Sequence, residues 1–150
     1  EIEFIEKNEK MIQHCLQNIK IFKENYSESL KFNLKNKDFF DTKIEPISRE
    51  SLTFFLINPP YFVYNPKRGA QNLDRNSARF FERGVTVSDI LSRVDEIGMD
   101  YIVAGVILFR ANQVDRNFLE EENRRLKNLK ISILELGGLS SLTKIIYFES

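Results

Sequence analysis

The sequence is poor in the side chains that most often hold metals or form disulfides. Its 150 residues include one cysteine, Cys15, and one histidine, His14. A single cysteine excludes an internal disulfide framework and a cysteine cage for zinc. A single histidine argues against a histidine metal site or a catalytic triad. We therefore expect no metal site.

An excess of charge of one sign and long apolar runs are also lacking. The 22 basic and 22 acidic residues balance, so the charge gives no case for nucleic-acid binding. No apolar stretch approaches the length of a membrane span, and no signal peptide is visible, which predicts a cytoplasmic protein without a membrane partner. The length predicts a single domain over residues 1–150.

The first elements are a predicted strand and a predicted helix. Residues 2–5 form a short strand that ends at Glu6, and apolar residues recur every three to four positions from Asn8 onward. This period is typical of an amphipathic helix lying on a sheet. An acid at the end of such a strand can accept both hydroxyls of a ribose. Glu6 is therefore a candidate binding residue, with a solvated glutamate as the alternative.

A second strand, predicted over residues 30–34, leads to Asp38 and Phe39. In a nucleoside pocket an aspartate at this place can accept the amino group of adenine, and an adjacent aromatic ring can pack on the base. Aspartate is also common in ordinary turns, which is the alternative interpretation of Asp38.

The central feature of the sequence is the stretch from residue 52 to residue 61. Its first six residues, Leu-Thr-Phe-Phe-Leu-Ile, carry no charge and predict a strand buried on both faces. Asn58-Pro59-Pro60-Tyr61 follows, and the two prolines prevent the strand from continuing. In an open α/β sheet, ligands bind at the carboxyl ends of the strands. We therefore expect a stiff polar elbow beside a crevice.

The elbow offers acceptors for an amino group and a flat ring for stacking. The oxygens of Asn58 and Pro59 can accept N–H groups of a planar nitrogen compound, while Tyr61 stacks on its ring. A long loop predicted over residues 62–76 then carries three basic residues that can bind phosphates, namely Lys67, Arg68 and Arg75. An ordinary loop with two prolines and a solvated basic surface are the alternatives.

Helical signals follow the loop. Residues 79–83 begin a helical piece, and Thr86 to Asp89 resembles a capping box that starts a helix ending at Gly98. The charged segment 117–129 also predicts a helix, whose glutamates and arginines form a solvated face with i,i+4 pairs.

The strands of the C-terminal half complete the predicted sheet. Residues 101–109 are continuously apolar, as in a central strand. Residues 130–134 and 143–148 are spaced for an antiparallel pair at the sheet edge. The sequence thus predicts an α/β fold.

The order of elements resembles class I S-adenosylmethionine-dependent methyltransferases from their second strand onward. The elbow resembles their Asp/Asn/Ser-Pro-Pro-aromatic motif for amino groups. Residues 4–8, Phe-Ile-Glu-Lys-Asn, and residues 144–149, Lys-Ile-Ile-Tyr-Phe-Glu, are similar to the RsmD-type 16S rRNA guanine-N2 methyltransferases. The resemblance implies a Rossmann-like sheet with helices on both faces and a C-terminal antiparallel strand pair.

The same resemblance implies roles for individual residues. Glu6 would hold the ribose of S-adenosylmethionine, and Asp38 and Phe39 would frame its adenine. A target base turned out of its stack would be held by the elbow residues Asn58, Pro59 and Tyr61. The implied reaction is methyl transfer to guanine N2 in rRNA, with rRNA or the small ribosomal subunit as the partner.

Two features depart from that family. Its elbow more often begins with aspartate, whereas asparagine is shared with adenine-N6 methyltransferases of DNA and RNA. Its first strand and Gly-rich loop have no counterpart here, and the chain begins at Glu1 inside a predicted strand. We therefore expect an upstream segment. The open alternatives are an adenine-N6 methyltransferase, a non-catalytic methyltransferase-like subunit, and a methyltransferase for a protein glutamine amide.

Overall fold

The structure is a computed structural model that describes residues 1–26, 29–59, 62–63, 80–81, 86–110, 117–134 and 143–150. The chain divides into two compact units. The first contains Glu1–Lys43, and the second contains Ile44–Leu73 and Arg79–Ser150. The described strands of each unit form sheets of their own. That residues 1–150 make a single domain stays a prediction.

The first unit is a strand, a helix and a second strand: β1 (Ile2–Ile5), α1 (Glu9–Asn25) and β2 (Phe32–Lys35). β1 and β2 are parallel, and their register pairs Ile5 with Lys35. The predicted strand and helix at the start of the chain are confirmed, while the second strand begins two residues later than predicted. Because the strands are parallel, both end at the same edge of the pair.

The core of the first unit is small and aromatic. Ile12 is the buried residue of α1, and the Phe32 ring of β2 lies 6.3 Å from Phe4 and 6.0 Å from Phe22 between centroids. The edge-on contact with Phe22 is a favourable arrangement for aromatic rings. These contacts fix α1 against the strand pair.

The described part of the second unit contains six strands and two helices. In chain order they are β3 (Thr53–Ile57), β4 (Phe62–Val63), β5 (Phe80–Phe81), α2 (Val87–Gly98), β6 (Val103–Arg110), α3 (Phe118–Arg125), β7 (Lys130–Leu134) and β8 (Thr143–Glu149). Four of the strands form a sheet in the order β3-β6-β8-β7. β3 is parallel to β6, and β8 is antiparallel to β6 and β7. The predicted antiparallel pair is thus confirmed within a mixed α/β fold.

α2 begins with the predicted capping box. The Thr86 side chain accepts a hydrogen bond from the Asp89 backbone, and the Asp89 carboxylate accepts one from the Thr86 backbone at 2.6 Å. These bonds satisfy donors that every helix start leaves open. Five apolar side chains of α2 are buried: Val87, Ile90, Leu91, Val94 and Ile97. α2 contacts β6, so this apolar face builds the core of the second unit against the sheet.

The prediction that β3 is buried on both faces is wrong. Phe54 is 59% exposed and Leu56 is 75% exposed, whereas Phe55 and Ile57, which alternate with them, are half-buried. β3 lies at one end of the described four-stranded sheet, with β6 on one side. Successive side chains point to opposite faces of a strand, and here one face packs while the other faces solvent.

Two helix predictions also need correction. Residues 80–81 are not helical but form β5, which pairs in parallel with β4, so the loop predicted over 62–76 begins with a short strand. The predicted solvated face of α3 holds for Glu120, whose exposed carboxylate lies 3.1 Å from Arg124. It does not hold for Glu122, which is buried. The Ser88 hydroxyl of α2 donates to Glu122 at 2.8 Å, so this glutamate joins the two helices.

Two titratable groups among the described residues of the second unit have shifted pKa values. The pKa of Arg125 is raised, chiefly by its hydrogen bond to Glu122, while burial opposes the shift. The pKa of Tyr147 is also raised, chiefly because its hydroxyl donates to Glu149. Both shifts reflect contacts between neighbouring side chains on the same element.

Across the described part of the chain, no helix combines the length and apolar character needed to cross a membrane.

Gly105 lies between Phe55 and Phe148 in the four-stranded sheet. The register pairs it with Phe55 of β3 and with Phe148 of β8, and the two rings lie 6.3 Å apart between centroids. A Cβ atom at residue 105 would lie 2.6 Å from the Phe148 ring and closer still to the Phe55 carbonyl oxygen. A residue without a side chain is therefore required here.

We expect Gly105→Ala to lower the free energy of unfolding by about 1–3 kcal/mol, because the added methyl group overpacks the core against backbone. Urea denaturation followed by circular dichroism measures the change. Gly98→Ala is the matched control. Its Cβ would lie 3.3 Å from a Val103 methyl group, which is able to adjust. An equal loss for both variants would contradict the proposed crowding at Gly105.

Candidate functional site

Glu6 lies directly after β1, at the edge where both strands of the first unit end. Its side chain is half-buried, and its Oε1 atom accepts a hydrogen bond from the Asn8 backbone N–H at 2.7 Å. Asn8 is also the N-cap of α1, since its side chain accepts from the Lys10 and Met11 backbones. The carboxylate of Glu6 is thus fixed by the turn that starts the helix.

Asp38 follows β2 and is held in a similar way. Its Oδ1 atom accepts a hydrogen bond from the Phe40 backbone N–H at 3.0 Å, which is an Asx-turn. The buried Thr42 hydroxyl donates to the Asp38 carbonyl oxygen at 2.6 Å. In both Glu6 and Asp38, therefore, one carboxylate oxygen accepts a hydrogen bond from the backbone N–H two residues later in the chain.

The parallel pairing of β1 and β2 brings the two strand ends together. Lys7, next to Glu6, has its Nζ atom 3.5 Å from the Asp38 Oδ2 atom. Phe39 is half-buried beside Asp38, and its ring packs edge-on against Phe40 at 5.4 Å between centroids. Three sequence-predicted residues, Glu6, Asp38 and Phe39, thus lie at one edge of the first unit. Their roles in ligand binding stay predictions.

The elbow lies at the carboxyl end of β3 in the second unit. β3 ends at Ile57, Asn58 is exposed and Pro59 is buried. Tyr61 and the three predicted phosphate-binding residues, Lys67, Arg68 and Arg75, lie outside the described residues. The crevice predicted between the elbow and Glu6 stays a prediction, because Glu6 belongs to the first unit and Asn58 to the second.

Four further residues shape the first-unit edge and were not predicted from the sequence, namely Lys7, Asn8, Phe40 and Thr42. A local signal existed for two of them. Asparagine before an amphipathic helix is a typical N-cap, and Asp followed by a turn favours a bond to the backbone two residues on. The contact between Lys7 and Asp38 depends on the strand register, which no local pattern specifies.

Comparison with known proteins shows a similarity of fold. No protein-family model and no curated protein sequence matches the chain. Among solved structures, the crystal structure of an rRNA methylase from Streptococcus thermophilus is similar, with a TM-score of 0.54 and 10% sequence identity. The match covers 98% of this chain and 73% of that one. The fold of the chain is therefore similar to that of this rRNA methylase.

We expect Thr42→Val to lower the free energy of unfolding by about 1–3 kcal/mol, because it removes the buried hydroxyl and leaves the Asp38 carbonyl oxygen without this donor. Thr42→Ser keeps the hydroxyl and serves as the control. Urea titration measures both variants. If Thr42→Val is as stable as the wild type, the hydrogen bond from the Thr42 hydroxyl contributes nothing measurable to stability.

Proposed function

We propose that the protein transfers a methyl group from S-adenosylmethionine to the exocyclic amino group of a nucleobase, specifically guanine N2 in rRNA. The observation that carries this proposal is the edge of the first unit. Two backbone-fixed carboxylates and an aromatic ring lie together there, in a fold similar to that of an rRNA methylase. Ligands of α/β folds bind at this kind of edge.

The chemistry of the first-unit edge fits the donor's nucleoside. The backbone holds Oε1 of Glu6, which leaves Oε2 to accept ribose hydroxyls. Asp38 has Oδ2 for the adenine amino group, and Phe39 supplies an apolar ring beside it. A carboxylate that is already fixed loses little conformational entropy when a ligand binds. S-adenosylmethionine, when bound, supplies an electrophilic methyl group on its sulfonium.

In this proposal the elbow binds the target amino group. The side-chain oxygen of Asn58 and the carbonyl oxygen of Pro59 accept its two N–H groups, and Tyr61 stacks on the base. The two acceptors fix the direction of the nitrogen lone pair, so positioning supplies most of the rate. The base reaches the elbow by leaving its stack. Phosphates of the RNA bind the basic residues Lys67, Arg68 and Arg75.

A second candidate function is adenine-N6 methylation of a nucleic acid, which the asparagine at residue 58 favours. The same corner also suits a glutamine amide of a protein, and a non-catalytic methyltransferase-like subunit would keep the fold without the reaction. Incubating the full-length protein with radiolabelled S-adenosylmethionine and separate RNA, DNA and protein fractions distinguishes these candidates. Label in rRNA as N2-methylguanine supports the proposal, and label in another fraction, or in none, contradicts it.

We expect Glu6→Ala to weaken donor binding by at least about tenfold, because charge-assisted hydrogen bonds to the ribose are worth about 1.5–3 kcal/mol. Isothermal titration calorimetry with S-adenosylhomocysteine and the full-length protein measures the affinity. Glu24→Ala removes an exposed glutamate at the far end of α1 and is the matched control. Unchanged affinity in Glu6→Ala would remove Glu6 from the donor site.

We expect Asn58→Ala to reduce kcat by about 10²–10³-fold while donor affinity stays within about twofold, because Asn58 orients the amino group and does not hold the donor. Single-turnover methylation and calorimetry separate the two effects. Asn18→Ala, an exposed asparagine of α1, controls for the loss of an amide. A variant at residue 58 with full activity would make the elbow a structural turn only.

A further inference from the structure

Lys7 occupies the acceptor that the proposed donor site needs. Its Nζ atom lies 3.5 Å from Oδ2 of Asp38, while the Phe40 backbone already holds Oδ1. Oδ2 is therefore the oxygen of Asp38 that is directed away from its own turn. An ammonium group and an amino group on a purine are both N–H donors, so they compete for the same oxygen.

The ion pair is weak enough to be exchanged for a ligand. The side chains of Lys7 and Asp38 are each 36% exposed. A partly exposed pair of this kind contributes little to stability, since water and salt screen it. A base that enters this edge therefore displaces the ammonium group at a modest cost, whereas a buried ion pair would exclude it.

We propose that Lys7 lowers the preference of the candidate donor site for 6-amino purines over 6-oxo purines, because it competes with the amino group of the base for Asp38. The inference rests on the proposed function. With Lys7 present, the edge offers a donor and an acceptor side by side, which weakens binding of a 6-amino purine and tolerates a 6-oxo purine. Without Lys7 the Asp38 carboxylate no longer has this cation beside it, so it accepts from an amino group but repels an oxo group.

The test compares two probes on the full-length protein by calorimetry at low salt. S-adenosylhomocysteine carries the amino group, and S-inosylhomocysteine carries an oxo group in its place. We expect Lys7→Met to bind the adenosyl probe about two- to fivefold more tightly, the range set by a partly exposed ion pair. The same variant binds the inosyl probe more weakly, so the ratio of the two affinities rises. At high salt the difference between wild type and Lys7→Met shrinks.

Two further variants separate this effect from a general change of charge. Lys20→Met removes another lysine that faces a carboxylate, Glu24 at 4.0 Å, at the other end of α1. It should leave both affinities unchanged. Lys7→Arg keeps a cation beside Asp38 and should keep the wild-type ratio of affinities.

The outcomes also distinguish the inference from the proposed function. If the wild type binds the adenosyl probe and Lys7→Met binds it equally or more weakly, the inference is wrong and the proposed function stands. If neither protein binds the adenosyl probe, both are wrong. Tighter binding of both probes by Lys7→Met would show that the lysine only blocks the edge, and would overturn the specificity role.

Discussion

Parallel pairing of β1 with β2 is the constraint on which the candidate site depends. Parallel strands end at the same edge, so the residues that follow them meet there. Glu6 and Asp38 are such residues, although they are 32 positions apart in the sequence. Neither residue lies in a strand. Each is positioned by the short turn that follows the strand, and the register between β1 and β2 brings those turns together.

The carboxylates at this edge are ordered before any ligand arrives. A free glutamate or aspartate samples several rotamers, and fixing them adds to the entropic cost of binding. Here each of the two carboxylates accepts a hydrogen bond from one backbone N–H group. The buried Thr42 hydroxyl also donates to the Asp38 carbonyl oxygen. The second unit shows the same use of local turns, because the capping box of α2 is closed by side chain and backbone together.

Local patterns in the sequence predicted much of the fold. The capping box at Thr86, the apolar face of α2 and the terminal strand pair are correct because the residues that decide them are near one another in the chain. The exposure of β3 and the burial of Glu122 were not predictable, because each depends on which distant element packs against the residue. A charged residue such as Glu122 is predicted to be solvated unless its contact with a distant side chain, here Ser88, is known.

The same distinction applies to the candidate site. Glu6, Asp38 and Asn58 stand out in the sequence because a polar residue after an apolar strand marks a strand end. Lys7 does not stand out, since its contact with Asp38 follows from tertiary register. The sequence pattern therefore indicates the two acids but not the cation that faces Asp38.

Asn8 serves the helix and the site at once. Its side chain closes the first turn of α1, and its backbone N–H holds Glu6. Helix ends open more easily than helix centres, with small free energies of local unfolding. Warming that frays this turn would release the Glu6 carboxylate while the rest of the unit is still folded. The temperature up to which the Glu6 carboxylate stays ordered is then set by the N-terminus of α1 and not by the melting of the whole protein.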